Sequence, residues 1–137
     1  MKRNATAVWL GPGKEGKGHL TTQSGALHQS SYTVGSRFEQ NPGTNPEELM
    51  AAAHAGCFSM KLSIDLNAAG FPPQEIQTSC DITMENLTIT KSELHCTVKV
   101  PGLDNARFQE IATKSKNECP VSRAFGAIEI SLDAKLA

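Results

Sequence analysis

The sequence predicts an α+β fold in which helices cover one side of a mainly antiparallel sheet. Three observations carry that reading. A long apolar segment carries a helix start signal at Asn45-Pro46 and a stop at Gly70. Two consecutive segments then alternate cleanly with period two, and a second, shorter run repeats its apolar residues at helical spacing.

Taken in order, residues 4–10 and 18–34 read as short strands, with turns at GPGKEGKG and SGAL. In TNPEELMAAAHAGCFSMKLSIDLNAAGFPP, Asn45 suits the cap and Pro46 the first helical position, and Glu48 completes an N-x-x-E capping box. Glu47 and Glu48 complement the positive end of the helix dipole. The helix is expected to run to about Ala69, with Gly70 as its left-handed stop and Pro72-Pro73 behind it. From Leu49 to Met60 it is apolar on nearly every side, so it is expected to be buried all round.

Two strands follow. Ile76, Thr78, Cys80, Ile82 and Met84 share one face of the first, and Leu94, Cys96, Val98 and Val100 one face of the second. Cys80 and Cys96 therefore read as small hydrophobes. Phe108, Ile111, Ala112 and Ser115 mark the second helix, which ends near NECPVSRAFG. A last strand places Ile128, Ile130, Leu132 and Ala134 on one face.

At 137 residues the chain is expected to be one domain, residues 1–137, with neither repeats nor a dividing linker. Thirteen basic residues against 14 acidic leave a net charge of −1 and no basic stripe, which argues against a nucleic-acid partner. No stretch reaches the ~18 apolar residues of a membrane helix, and the apolar patch after the early charges is too short for a signal-peptide core. The expected compartment is the cytoplasm, where thiols stay reduced, so each of the four cysteines needs an account as core, ligand or reactive group.

Cys57 has three such accounts: filler at a tight helix contact, a metal ligand with His54, or a nucleophile. It lies too far into its helix for the dipole to acidify it, and an apolar setting raises a thiol's pKa. A reactive Cys57 therefore needs a cation from elsewhere, and GSRFEQNPGTNP offers Arg37, read as lying in a loop. Cys119 stands before Pro120 and would cap a short turn through PVSRAF, where unpaired N–H groups favour a thiolate; the alternative is a surface cysteine at a helix junction. No C-x-x-C or H-x-x-x-H pair exists, so no metal site is expected, and His54 reads as a core histidine with a hydrogen-bonded ring.

Together these residues resemble the OsmC/Ohr family of thiol-dependent hydroperoxide reductases. RFEQNPGTNPEELMAAAHAGCFSM is similar to its arginine loop and peroxidatic-cysteine helix, and ECPVSRA to its second-cysteine motif. The C-P-V-S spelling and the A-A-H-A approach favour the OsmC branch. The resemblance implies that Cys57 is the peroxidatic cysteine, Cys119 the resolving one, Arg37 the thiolate-stabilising cation and Glu47 the carboxylate holding that arginine. It also implies an OsmC-like fold, in which the sheets of an intertwined homodimer wrap long central helices and both active sites lie at the subunit interface.

Implied, too, is an organic hydroperoxide as substrate and an external dithiol, a lipoyl protein or a thioredoxin-like one, as reductant, with no bound cofactor. Phe38, Phe58 and Met60 are candidates for an apolar substrate pocket, or equally for core. Glu47 and Cys57 are ten residues apart on one helix, ~15 Å along its axis. If both serve one site and the helix is unbroken, Glu47 comes from the partner subunit, whereas Arg37 reaches either way. The alternative function is a redox-sensing stress protein that forms the same disulfide without turnover.

Overall fold

In the computed structural model, which describes residues 1–137, the chain forms two compact units, Met1–Leu49 and Met50–Ala137. The first is built on a three-stranded antiparallel sheet, β1 (Ala5–Leu10), β2 (Lys17–Thr22) and β3 (Ser30–Tyr32), in that order. Trp9 and Tyr32 pack at a tilt of 56° across β2 with ring centroids 5.3 Å apart. Both rings occupy the space where a Cβ on Gly18 would sit, so only glycine fits there.

The sequence reading has extended chain through residue 34 and a loop at Arg37. The structure instead has a short helix, α1 (Val34–Phe38). Its start is a reciprocal capping box. Thr33 Oγ1 accepts from the Ser36 N–H at 3.0 Å, and Ser36 Oγ accepts from the Thr33 N–H at 2.8 Å. Such a box needs only serine and threonine at the right spacing, a signal that the strand-like run before it masks.

α2 (Pro46–Ala68) follows, one residue shorter than expected and unbroken. Asn45 Oδ1 accepts from the Glu48 N–H at 2.8 Å, as the capping signal requires, while the Glu48 carboxylate accepts from the Thr44 hydroxyl. At the other end Gly70 takes φ +89°, and the Phe71 N–H donates to the Leu66 carbonyl at 2.9 Å, closing the helix as a Schellman turn.

The second unit carries a three-stranded sheet in the order β4 (Glu75–Glu85), β5 (Thr88–Lys99), β6 (Glu129–Leu136). β4 and β5 form an antiparallel hairpin, with Thr78 opposite Cys96 and Cys80 opposite Leu94. β6, however, runs parallel to β5, so this sheet is mixed. The chain can return in the same direction because α3 (Asn105–Glu118) and α4 (Pro120–Ala124) carry it back.

The core of this unit joins Phe58, Leu62 and Leu66 of α2 to Leu94, Cys96 and Val98 of β5 and to Phe108, Ile111 and Ala112 of α3. Fully burying side chains of this size is worth about 1.5–3 kcal/mol each. A polar clamp sits at the rim. Lys61 Nζ lies 2.6 Å from Asp65 and 2.8 Å from Glu118, and Ser115 Oγ donates to Asp65 at 2.7 Å. The clamp docks the end of α3, and so the residue after it, Cys119, against α2.

Within one chain α2 is covered on one side only. His54, Phe58, Leu62 and Leu66 form its buried stripe, while Ala52, Ala53, Gly56, Met60 and Ile64 are exposed in the single chain. A three-stranded sheet covers one face of a helix, and the apolar residues on the other face are left over.

Candidate active site

Arg37 occupies the last turn of α1, and Ser36 aims that turn. The Ser36 hydroxyl, 6% exposed, donates to the Thr44 carbonyl at 2.8 Å, and Asn45 Nδ2 donates to the Ser36 carbonyl at 3.3 Å. These bonds tie α1 to the start of α2. Arg37 then meets Glu47 side-on. Its Nη2 and Nε donate to Oε1 at 2.7 and 3.1 Å, and Nε also reaches Oε2 at 3.3 Å.

A planar guanidinium makes this fork where an ammonium cannot. Phe38 lies beside it, half-exposed, with its ring centroid 5.2 Å from the guanidinium carbon. The sequence reading left open which subunit Arg37 serves; its carboxylate partner, at least, belongs to its own chain.

The thiols Cys57 and Cys119 face each other in the second unit, and all four cysteines are free. Cys57 is half-buried on α2. Cys119 is fully buried at the joint where α3 ends and α4 begins, with its N–H donating to the Ser115 carbonyl at 2.9 Å. Pro120 starts α4, as the sequence suggests, and the surface-cysteine alternative falls.

Burial pushes the Cys57 thiol up, and the neighbouring Cys119 adds to that, against a lowering contact from the Val121 backbone. Burial works on Cys119 in the same sense but loses. The Ser122 N–H, the Cys57 thiol, the Ser122 hydroxyl and the Val121 N–H together hold Cys119 below the ordinary thiol range. No N–H closes a full cap bond on the sulfur, so this is the field of the unpaired amides at a helix start. At Cys57 the single Val121 contact does not offset burial, and the thiol stays raised.

Phe58 is wholly buried in the core, and Met60 lies on the uncovered face of α2, 67% exposed. Of the three pocket candidates, then, Phe58 is a core residue.

His54 is the core histidine expected, with partners the sequence did not reveal. Nδ1 lies 2.6 Å from Ser92 Oγ and Nε2 2.8 Å from Ser122 Oγ, and Phe125 packs on the ring edge at 5.2 Å. Burial lowers its pKa, so the ring is neutral. Cys80 is more than a small hydrophobe, since its sulfur lies 3.3 Å from Ser92 Oγ. A signal for Ser92 did exist. It is the one hydroxyl in the buried row Ser92, Leu94, Cys96, Val98, facing a helix that carries a lone buried histidine.

A family model described as OsmC-like protein matches residues 39–133. The chain belongs to the OsmC family. Peroxiredoxin OsmC of Escherichia coli (strain K12) is 46% identical over 140 residues, covering 99% of this chain and 97% of that protein. The organic hydroperoxide resistance protein OhrB of Bacillus subtilis (strain 168) is 28% identical over 127 residues, 86% of this chain and 89% of that one. Among solved structures, an OsmC-like protein from Mycoplasma pneumoniae superposes with a TM-score of 0.79 at 12% identity, covering 100% of this chain and 98% of its own. That last likeness is one of fold, and it extends the OsmC architecture to both units.

Proposed function

We propose that this chain is a cysteine-based peroxidase that reduces organic hydroperoxides to alcohols as an intertwined homodimer. The observation that carries the reading is the facing pair Cys57 and Cys119, far apart in sequence and brought together by α2 and the α3–α4 joint. The names of the E. coli and B. subtilis relatives point to the same chemistry.

The Cys57 thiolate attacks the terminal oxygen of R–O–O–H. The O–O bond breaks, the alkoxide leaves as the alcohol after taking a proton, and Cys57 becomes a sulfenic acid. Cys119 attacks that sulfur, the S–O bond breaks, and water leaves a disulfide. An external dithiol, from a lipoyl or thioredoxin-like protein, restores both thiols, and no bound cofactor takes part. Arg37, held by Glu47, stabilises the Cys57 thiolate and the charge developing on the peroxide oxygens.

Ten residues of unbroken helix, ~15 Å, separate Glu47 from Cys57. Since Arg37 is bound to Glu47 of its own chain, the pair acts as one unit on the Cys57 of the second subunit. The uncovered alanine-rich face of α2 is the surface for that subunit. Phe38 and Met60 are the exposed apolar residues that would favour bulky R groups. No helix is long and apolar enough to cross a membrane, and the working place proposed is the cytoplasm, whose reducing poise the thiols need.

The test is the reaction of the reduced protein with cumene hydroperoxide and with hydrogen peroxide, followed as loss of two thiols per chain, then repeated with excess dithiol. Faster reaction with the organic peroxide and continuing turnover are expected. Consumption of a single equivalent under excess dithiol would make the protein a redox sensor instead.

A further inference from the structure

His54 and Cys57 are one helical turn apart on α2, and Cys119 and Ser122 are one turn apart at the start of α4. The two turns meet as a ladder of two rungs. One rung is the thiol pair, and the other is the 2.8 Å hydrogen bond between His54 Nε2 and Ser122 Oγ. Both groups of the second rung are buried, at 0% and 6% exposure. Ser122 is also the third residue of a helix capped by Cys119, the position that faces the cap. We infer that His54 is a positioning residue for disulfide formation, acting through Ser122 to hold the Cys119 turn against α2 and to point the Ser122 hydroxyl proton at the Cys119 sulfur. The inference rests on the peroxidase reading above.

Hydrogen-bond bookkeeping gives the direction. A neutral imidazole donates from one nitrogen and accepts at the other. With the proton on Nε2, His54 donates to Ser122 Oγ, and the Ser122 hydrogen is free for Cys119. Nδ1 then accepts from the Ser92 hydroxyl at 2.6 Å, and Ser92 accepts from the Cys80 thiol at 3.3 Å. Cys80, Ser92, His54 and Ser122 each donate once in the same sense, and Cys119 accepts at the end of the row. With the proton on Nδ1 the row reverses, Ser122 spends its hydrogen on Nε2, and a Cys119 thiolate loses the hydroxyl donor and keeps only the backbone N–H groups and Cys57.

Burial keeps His54 neutral and raises the Cys80 thiol, so the far end of the row keeps its proton and the near end is the one to ionise. The resolving step balances as follows: the Cys119 sulfur attacks the sulfenic sulfur of Cys57, the S–O bond breaks, and the proton lost by Cys119 ends on the departing hydroxide as water. Ser122 makes the attacking thiolate more available, and His54 decides whether Ser122 donates.

The titratable groups facing Cys119 are Cys57 and, through Ser122, His54, both from α2, with Cys80 of β4 beyond Ser92. On its own segment Glu118 is engaged by Lys61, and Arg123 lies in the last turn of α4.

The experiment is a single turnover with one equivalent of cumene hydroperoxide and no added dithiol. Dimedone trapping reads the sulfenic acid, and thiol loss reads the disulfide, across a range of pH. In Ser122→Ala the pH midpoint of the disulfide step is expected to rise by about one unit, slowing the step about tenfold at neutral pH. The rate should recover at high pH, and Ser122→Thr should restore the parental midpoint. His54→Asn should raise the midpoint likewise and add nothing in the Ser122→Ala background.

An unmoved midpoint, or a slowing that is equal at every pH, overturns the inference, because a purely structural role would give either. Should His54→Asn fail to fold, the Ser122 pair decides alone. If the parent protein itself forms neither sulfenic acid nor disulfide, the peroxidase reading fails first and the inference with it.

Discussion

Four thiols in one chain divide into two pairs with different surroundings. Cys80 and Cys96 lie on the neighbouring strands β4 and β5, and burial raises both; Ser92 opposes this weakly at Cys80, as Thr78 does at Cys96. Cys57 lies on α2 and Cys119 at the α3–α4 joint, and Cys119 is pulled down although it is the least exposed of the four. The difference is in the backbone. Along a strand pair the N–H groups are spent on the ladder, whereas the first turn of a helix leaves its N–H groups unpaired. A sulfur beside that turn meets a field that a sulfur on a sheet does not. Burial alone, then, does not separate a structural cysteine from a reactive one.

The sharpest way to break this comparison is substitution across it. Cys57→Ser is expected to abolish peroxidase turnover, a loss of three orders of magnitude or more on the scale of a missing nucleophile. Cys119→Ser should react once and stop as a sulfenic acid or an intermolecular adduct. Steady-state assays with excess dithiol check both, and multiple turnover in the Cys57 variant would end the assignment. On the sheet side, Cys96→Ser should leave turnover intact and cost about 1–2 kcal/mol of stability, since a hydroxyl replaces a thiol in the core with Thr78 as its one nearby partner. Denaturant unfolding reads that cost, and a large loss of activity would put Cys96 in the wrong pair.

The smallest effect concerns acid. The folded state holds His54 below its usual value of 6.5 by burial, so below that pH the unfolded chain takes up a proton that the folded one refuses. The stability is whole above 6.5 and falls as pH drops toward the folded value, by at most about 1.4 kcal/mol per pH unit. Asp65 adds a second loss, at lower pH. Burial would raise its pKa, but Lys61 and Ser115 win and hold it below 3.8. Unfolding curves at pH 7.5 and 5.5 should differ in the parent protein and converge in His54→Asn.

The individual elements were largely legible. The ends of α2, the buried stripe of α3 at Phe108, Ile111, Ala112 and Ser115, and the alternation of β4 and β5 all follow from residues within a few positions of one another. The candidate site was legible in part. Cys57, Cys119, Arg37 and Glu47 stood out by motif, but Ser122, Ser92 and Ser36 did not, because a serine's role depends on what lies opposite it. The α1 helix around Arg37 was missed, since its capping box sits inside a run that alternates like a strand.

What the sequence by itself determined was local: where α2 starts and stops, which faces of β4 and β5 turn inward, and that one cysteine precedes a helix-starting proline. Only the tertiary structure decided that β6 runs parallel to β5, that the chain's own sheet covers just one face of α2, and that His54 bridges two serines from distant segments. The physical reason is range. Caps and periodicity arise from backbone geometry within a turn or two, whereas strand order, burial and hydrogen-bond partners depend on which segments meet across the core.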